Sequence, residues 1–352
     1  MAPTVRGWAF GTALLAGACA ATSPSTPPPE ETLVVLNAGD QTLSLLPLSA
    51  AGSTRIIPLG YLGAVPLGLA AFGARGLVTT GTGSSMVVVD LNAGTALVVR
   101  LPLGAGAAGA AFASDSIAYV ANPAVNRATR LNLNTGDTTS AAAGQTPTAV
   151  AAARGRVFIA NANLDSACAG PGPCVLGPSW LTVVDPDRNA VVDSIALPGP
   201  GNAVAEQVGG DGLLYVLNAG GGDQEGRLSI VDPVLRKEVG NFGGFGVLPG
   251  RLASDGGERL FVVSATEGLM EFNTRLRRVV RGAGAGIPLV GGVAAAVDHN
   301  GLIYAVESGD CTIGRGRIRV FRPDLTEARV VPAGLCSVDA AVILLPPPPP
   351  SP

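Results

Sequence analysis

Acid–base, nucleophilic and metal chemistry each need a few side-chain types brought within bonding distance, and this sequence is poor in most of them. His299 is the only histidine, Lys237 the only lysine, and Cys19, Cys168, Cys174, Cys311 and Cys336 the only cysteines. His299 falls in Asp298-His299-Asn300-Gly301, a turn sequence, and no G-x-S-x-G occurs to give it a serine partner. Gly104–Gly109 matches G-x-G-x-x-G, but AAFASDSIAYVAN follows, which reads as a strand pair rather than a phosphate-binding helix. Asp185, Asp187 and Asn189 imitate the opening of a calcium loop. Ala190 stands where that loop needs Gly and Ala196 where it needs a bidentate Glu, so a plain strand turn is expected. No C-x-x-C spacing is present for zinc. No cofactor is expected from these residues, and Ca²⁺ enters only through an alternative reading given below.

The elements that would position any remaining chemistry are β-strands. Charged residues are 14% and aromatic residues 4% of the chain, with 49 Gly and 28 Pro, so the core must be built from Val, Leu, Ile and Ala between Gly- and Pro-rich turns. That composition reads as all-β. A net charge of -3 gives no overall attraction to nucleic acid. One motif recurs seven times: Leu33–Asn37, Leu77–Gly81, Ala118–Asn122, Val157–Asn161, Leu214–Asn218, Leu260–Ser264 and Ile303–Glu307. Each precedes a third strand, such as MVVVD from Met86, LTVVD from Leu181 and LSIVD from Leu228. An Asp, Asn or Pro turn then leads to a fourth strand, such as Ala190–Leu197. A small-residue strand follows, usually entered through Pro66, Pro147, Pro200 or Pro249. The period of roughly 40 to 45 residues is that of one four-stranded propeller blade.

With strand-Asn, V-x-V-V-D, V-V-x-x-I-x-L-P, P-x-G-x-A and D-G in succession, the chain resembles the YVTN-repeat (YncE-like) seven-bladed β-propellers. The likeness is clearest in AYVAN, WLTVVDPDRNAVVDSIALPG and LYVLN…LSIVDP, while repeats one and six are worn. The register starts on a second strand and ends on a lone first-type strand, Val338–Leu345. That strand is expected to complete the blade begun at Thr32 and so remove the open sheet edges. An open solenoid is the competing architecture, and no polar capping repeat supports it. In a propeller the loop after the second strand and the loop entering the innermost strand emerge on one face. The resemblance therefore implies disulfides Cys168–Cys174, inside the long insertion Ala162–Ser179, and Cys311–Cys336. Four cysteines allow three pairings, and an even set suits an exported protein.

The N-terminus reads as a targeting segment. Arg6 precedes an apolar run, Trp8–Leu15, too short to span a bilayer, then Ala16-Gly17-Ala18-Cys19. This resembles a bacterial lipobox, with Ala16 where Leu is preferred, and implies a membrane anchor on a lipidated Cys19. An ordinary signal peptide cut at or after Ala18 is the alternative. Ala20 in place of Asp implies outer-membrane rather than inner-membrane placement. The expected organisation is a signal peptide at 1–18, the lipidated Cys and a Pro/Ser/Thr-rich tether at 19–31, the propeller at 32–345 and a polyproline tail at 346–352.

Ligands of propellers usually sit over the central opening. Candidate ligand-face residues are Asn161, Asn163, Asp165, Asn218, Asp223, Glu307 and Asp310 in loops of the cysteine-bearing face, with Asn202, Arg251 and Asp339 at innermost strands. A second feature is a run of arginines: Arg275, Arg277, Arg278 and Arg281, then Arg315, Arg317, Arg319 and Arg322. The alternation at 315, 317 and 319 puts three guanidinia on one strand face. They are expected either to form a basic patch or to sit in inter-blade ion pairs with residues such as Glu271. The leading reading is a monomeric, non-enzymatic envelope propeller binding a protein, glycan or small ligand. The alternatives are a hydrolase or lactonase-like enzyme with a polar or Ca²⁺ site over the axis, from Glu307, Asp339, Asn161 and Asn218, and a binder of anionic lipid or nucleic acid through the arginines.

Overall fold

The computed structural model describes Met1 and residues 28–346, apart from 50–52, 61, 166 and 169–171. Cys19, the signal segment beyond Met1, most of the tether and nearly all of the polyproline tail lie outside the described residues. Those described form seven antiparallel four-stranded sheets, with one short 3-10 turn at Pro123–Val125. The ring is a seven-bladed β-propeller.

Numbering blades by their second strands, blade 1 carries Glu30–Asn37 and blades 2 to 7 carry Arg75–Thr79, Ile117–Asn122, Arg156–Asn161, Leu214–Asn218, Arg259–Ser264 and Ile303–Glu307. These strands are buried on both faces, as the strand Leu214–Asn218 is throughout, because each blade is covered by a neighbour on either side. Short continuous apolar runs are the expected sequence signature of such strands. The core is accordingly divided into seven clusters, each shared by two adjacent blades. One joins Phe158 and Leu181 of blade 4 to Leu214 and Val216 of blade 5. Another joins Leu33 and Val35 of blade 1 to Tyr304 and Ile318 of blade 7. Each fully buried side chain of this size contributes roughly 1.5–3 kcal/mol.

The innermost strands carry the small residues. They are Ser337–Leu345 in blade 1, then Gly68–Phe72, Ala110–Phe112, Pro147–Ala153, Ala203–Val208, Arg251–Ser254 and Gly292–Val297. Each touches the next around the ring, and the last touches the first, because Gly and Ala allow seven strands to crowd about one axis. Ring closure occurs within blade 1, where Ser337–Leu345 pairs antiparallel with Glu30–Asn37, from Glu30 opposite Leu345 to Asn37 opposite Ser337. The chain therefore enters blade 1 at Glu30 and leaves it at Leu345 on one face, opposite the face on which the second strands end.

At the entry face, turns between first and second strands are closed by Asp. Asp211 and Asp298 accept from the buried Tyr215 and Tyr304 hydroxyls at 2.7 and 3.0 Å. His299, in the second of these turns, pairs through Nδ1 with Glu31 of blade 1. No helix of the described residues is long and apolar enough to cross a membrane.

Candidate functional site

The rim on which the second strands end holds most of the residues expected to face a ligand. In four blades the last residue is Asn, and its ladder register sets it near a Ser or Thr on the third strand. Asn37 Nδ2 donates to Ser44 at 2.8 Å, Asn161 Nδ2 to Thr182 at 3.0 Å and Asn218 Nδ2 to Ser229 at 3.1 Å, while Thr129 donates to Asn122 Oδ1 at 2.7 Å. All four amides are buried. In blades 1 and 4 the amide oxygen also accepts a backbone N–H from the segment entering the innermost strand, from Gly334 at 3.0 Å and Gly144 at 2.7 Å. Glycine is required at both places, since a Cβ would lie 2.3 Å from Asn37 Cγ at Gly334 and 2.8 Å from Asn161 Cγ at Gly144. The Asn is thus a clamp joining second strand, third strand and incoming chain.

Two blades depart from the clamp informatively. In blade 5, Pro200 stands three residues before Ala203, the ladder partner of Asn218; this is where Gly144 and Gly334 stand before Pro147 and Ser337. Proline has no N–H, and Asn218 Oδ1 is buried without a hydrogen-bond partner. In blade 7 the terminal residue is Glu307, and arginine replaces the Ser or Thr. Glu307 is 2% exposed, pairs with Arg317 Nε, lies 3.7 Å from Arg319 and accepts the Val290 N–H at 2.8 Å.

The other rim candidates organise loops. Asn163 donates to Pro178 O at 3.0 Å and Asp165 accepts from the Ala167 N–H at 2.9 Å, both within the insertion. Asn202 is buried and donates to Gly220 O at 2.9 Å. Asp310 accepts N–H groups of Thr312, Ile313 and Gly314, and these bonds bring its carboxyl down to about 2. Asp223 is exposed in the loop of blade 5. Cys168–Cys174 and Cys311–Cys336 are paired, with Cα separations of 6.1 and 4.3 Å. The first closes the insertion, also held by a Leu164–Val175 bridge. The second ties blade 7 to the strand that completes blade 1. Two disulfides point to an oxidising, exported environment.

The arginines separate into individual contacts, some within a blade and some between neighbouring blades. Arg275 pairs with Glu258 at 2.7 Å, Arg277 donates to Val239 O at 3.3 Å and Arg281 to Ala285 O at 2.8 Å. Arg278 begins the outer strand of blade 6, exposed. Arg315 reaches Asp40 of blade 1 at 3.2 Å, Arg319 bonds Glu327 at 2.6 Å and Arg322 bonds Thr326 at 3.3 Å. Glu271 pairs with Arg259 rather than with any of these.

The axis is a separate region. Innermost strands leave one edge unpaired, so their free N–H and C=O groups face inward, around a cavity of about 530 Å³ whose side chains are mostly Ala, Val and Leu. Three charged residues line it: Arg251 of blade 6, Asp339 of blade 1 and Glu206 of blade 5. Ladder register sets their depth. Arg251 and Asp339 lie opposite Val263 and Leu36, one residue inside the rim, and Glu206 lies opposite Val216, one residue further in. Asp339 accepts the Leu69 and Ala340 N–H groups, each at 2.9 Å. Burial still raises its carboxyl above the ordinary range, against the opposing pull of Arg251. Arg251 donates to Leu67 O at 3.3 Å. Glu206 was not among the expected residues. Both its oxygens are buried without a hydrogen-bond partner; the Ala151 N–H faces the carboxyl but does not close a bond. Burial pushes this carboxyl well above its usual value. Of the four residues considered for a cation over the axis, Asp339 alone lines the cavity, whereas Glu307, Asn161 and Asn218 sit within the blades.

No protein-family model and no curated protein matches the chain. Among solved structures it is similar to a chain of hydrazine synthase from Kuenenia stuttgartiensis, with a TM-score of 0.59 and 14% identity over 78% of this chain and 89% of that one. At that identity the likeness is one of fold.

Proposed function

We propose that the chain is an exported cell-envelope propeller of the YVTN-repeat (YncE-like) kind. It is tethered to the outer membrane through a lipidated Cys19 and works as a non-enzymatic scaffold that presents its stapled rim to a partner. One observation supports this best: the chain enters and leaves the propeller at Glu30 and Leu345, on the face opposite both disulfides and the insertion. A tether attached at Glu30 turns the rim away from its anchorage. That rim offers rigid loops and strongly exposed aliphatic side chains, with Leu103 96%, Val290 73%, Leu176 61% and Ile313 89% exposed. Apart from the exposed Asp223 and the buried Asn218 Oδ1, the candidate amides and carboxylates of the rim are engaged within the fold, so recognition there rests chiefly on shape and apolar contact.

Photo-crosslinking residues placed at Leu176, Val290 and Ile313 are expected to give one discrete envelope adduct, and those at Val234 and Leu276 on the entry face none. Equal adducts from both faces would sink the proposed orientation. Cys19→Ala is expected to release the protein from membranes, and its retention there would remove the lipid anchor.

A further inference from the structure

Glu206 has no role in the fold that the structure reveals. It sits on an innermost strand, Ala203–Val208, where the other blades carry mainly Gly, Ala, Val and Leu. A carboxyl buried without a partner destabilises the folded chain, whether it ionises or keeps its proton. Three of the four clamp asparagines have their buried amide oxygens bonded, and the fourth, Asn218, lacks a partner where Pro200 has no N–H to give. Ala149, Val150, Ala205 and Ala253 give the cavity an apolar lining, and none of its hydroxyl or amide side chains, Thr148, Gln207 and Ser254, bonds Glu206. Its other charged groups are Arg251 and Asp339, one of each sign at one depth, so Glu206 once ionised leaves the lining one negative charge in excess.

We propose that the axial cavity binds a primary ammonium group, toward which the Glu206 side chain turns so that the N–H donors fill its two unpaired oxygens while the alkyl stem lies along the Ala and Val lining. A single positive charge balances the excess. Tetrahedral N–H donors match an acceptor-only carboxylate, and charge-assisted bonds of this kind are the strong ones. Two sources supply that chemistry: a free alkylamine, or a lysine side chain of a protein docked on the rim. Binding requires Glu206 ionised, so the ammonium displaces the proton that the free site holds. Alkylammonium ions keep their charge to about pH 10. Affinity therefore rises about tenfold per pH unit until the free carboxyl has titrated, then levels off.

The test is calorimetry on the whole exported protein with n-butylammonium and with N-acetyl-lysine methylamide, between pH 6 and pH 9. One-to-one binding is expected, with the pH slope just given. Glu206→Gln, which keeps the shape and loses the charge, is expected to weaken it about 10- to 100-fold. Arg251→Gln removes a like charge at the mouth and is expected to strengthen it. Butyltrimethylammonium has no N–H and is expected to bind at least about tenfold more weakly. Preference for the free amine or for the lysine mimic assigns the source. Unchanged binding by Glu206→Gln, equal binding of butyltrimethylammonium, or no saturable heat with either amine would overturn the proposal. None of these outcomes bears on the rim, whose partner is tested by crosslinking.

Discussion

The rim and the axis handle polar side chains in opposite ways. At the rim, Asn161 makes bonds through both amide ends and Glu307 meets two arginines and a backbone N–H, although the sequence presents both as loop-end residues free to bind something. In the channel, Glu206 lies in the middle of a strand, where sequence pattern gives it no prominence, and both its oxygens lack partners. A polar residue repeated at the same place in every blade is evidence of architecture. A polar residue found in one blade only, where the others carry small apolar side chains, is the better pointer to chemistry.

The largest effect expected from breaking the rim is loss of the disulfide that ties blade 7 to the closing strand. Cys311 and Cys336 are 25 residues apart, and replacing both with Ala should cost about 3–4 kcal/mol in chemical denaturation. The Cys168–Cys174 pair encloses a separation of 6, and its removal should cost less and leave the ring transition unchanged. If both double replacements cost the same, ring closure is not where that covalent bond acts.

A smaller contrast lies between two asparagines. Asn161→Ala strands the Gly144 N–H and the Thr182 hydroxyl, and should cost about 3 kcal/mol. Asn218→Ala should cost roughly 1 kcal/mol less, because the Asn218 amide oxygen receives no bond in the native state. Equal costs would remove the explanation from Pro200.

The third effect tests the axis and depends on pH. A carboxyl whose folded-state value is raised binds a proton in the folded chain that the unfolded chain has released, so it opposes folding increasingly as pH climbs above about 4.3. Glu206→Gln should therefore be indistinguishable from the natural protein near pH 4 and more stable at pH 8. The gain is about 1.4 kcal/mol for each pH unit crossed below the folded-state value. A flat difference between pH 4 and pH 8 would mean that Glu206 is solvated.

Much of the ring was readable because its cause repeats. Seven doubly covered second strands must each be mainly apolar up to their last residue, and a first-type strand left over at the end has no sheet to join except the one begun at Thr32. The Cys311–Cys336 pairing followed from loops that share a face. The clamps escaped notice because they depend on pairing across a ladder rather than on one residue. A signal was nonetheless present: Asn122, Asn161 and Asn218 accompany Thr129, Thr182 and Ser229, while Gly81 and Ser264 accompany Met86 and Met270, and Glu307 accompanies Arg317 and Arg319. Glu206 escaped because AVAEQV has the length and composition of an ordinary strand. Only stacking the seven innermost strands against one another sets it apart.

Pairing Glu30–Asn37 with Ser337–Leu345 also imposes an order of events on biogenesis. The first strand of the propeller to be made must keep one edge bare until the last strand arrives. For the whole of that interval it is exposed to mispairing and to proteases, so a holding chaperone would act chiefly on this one strand.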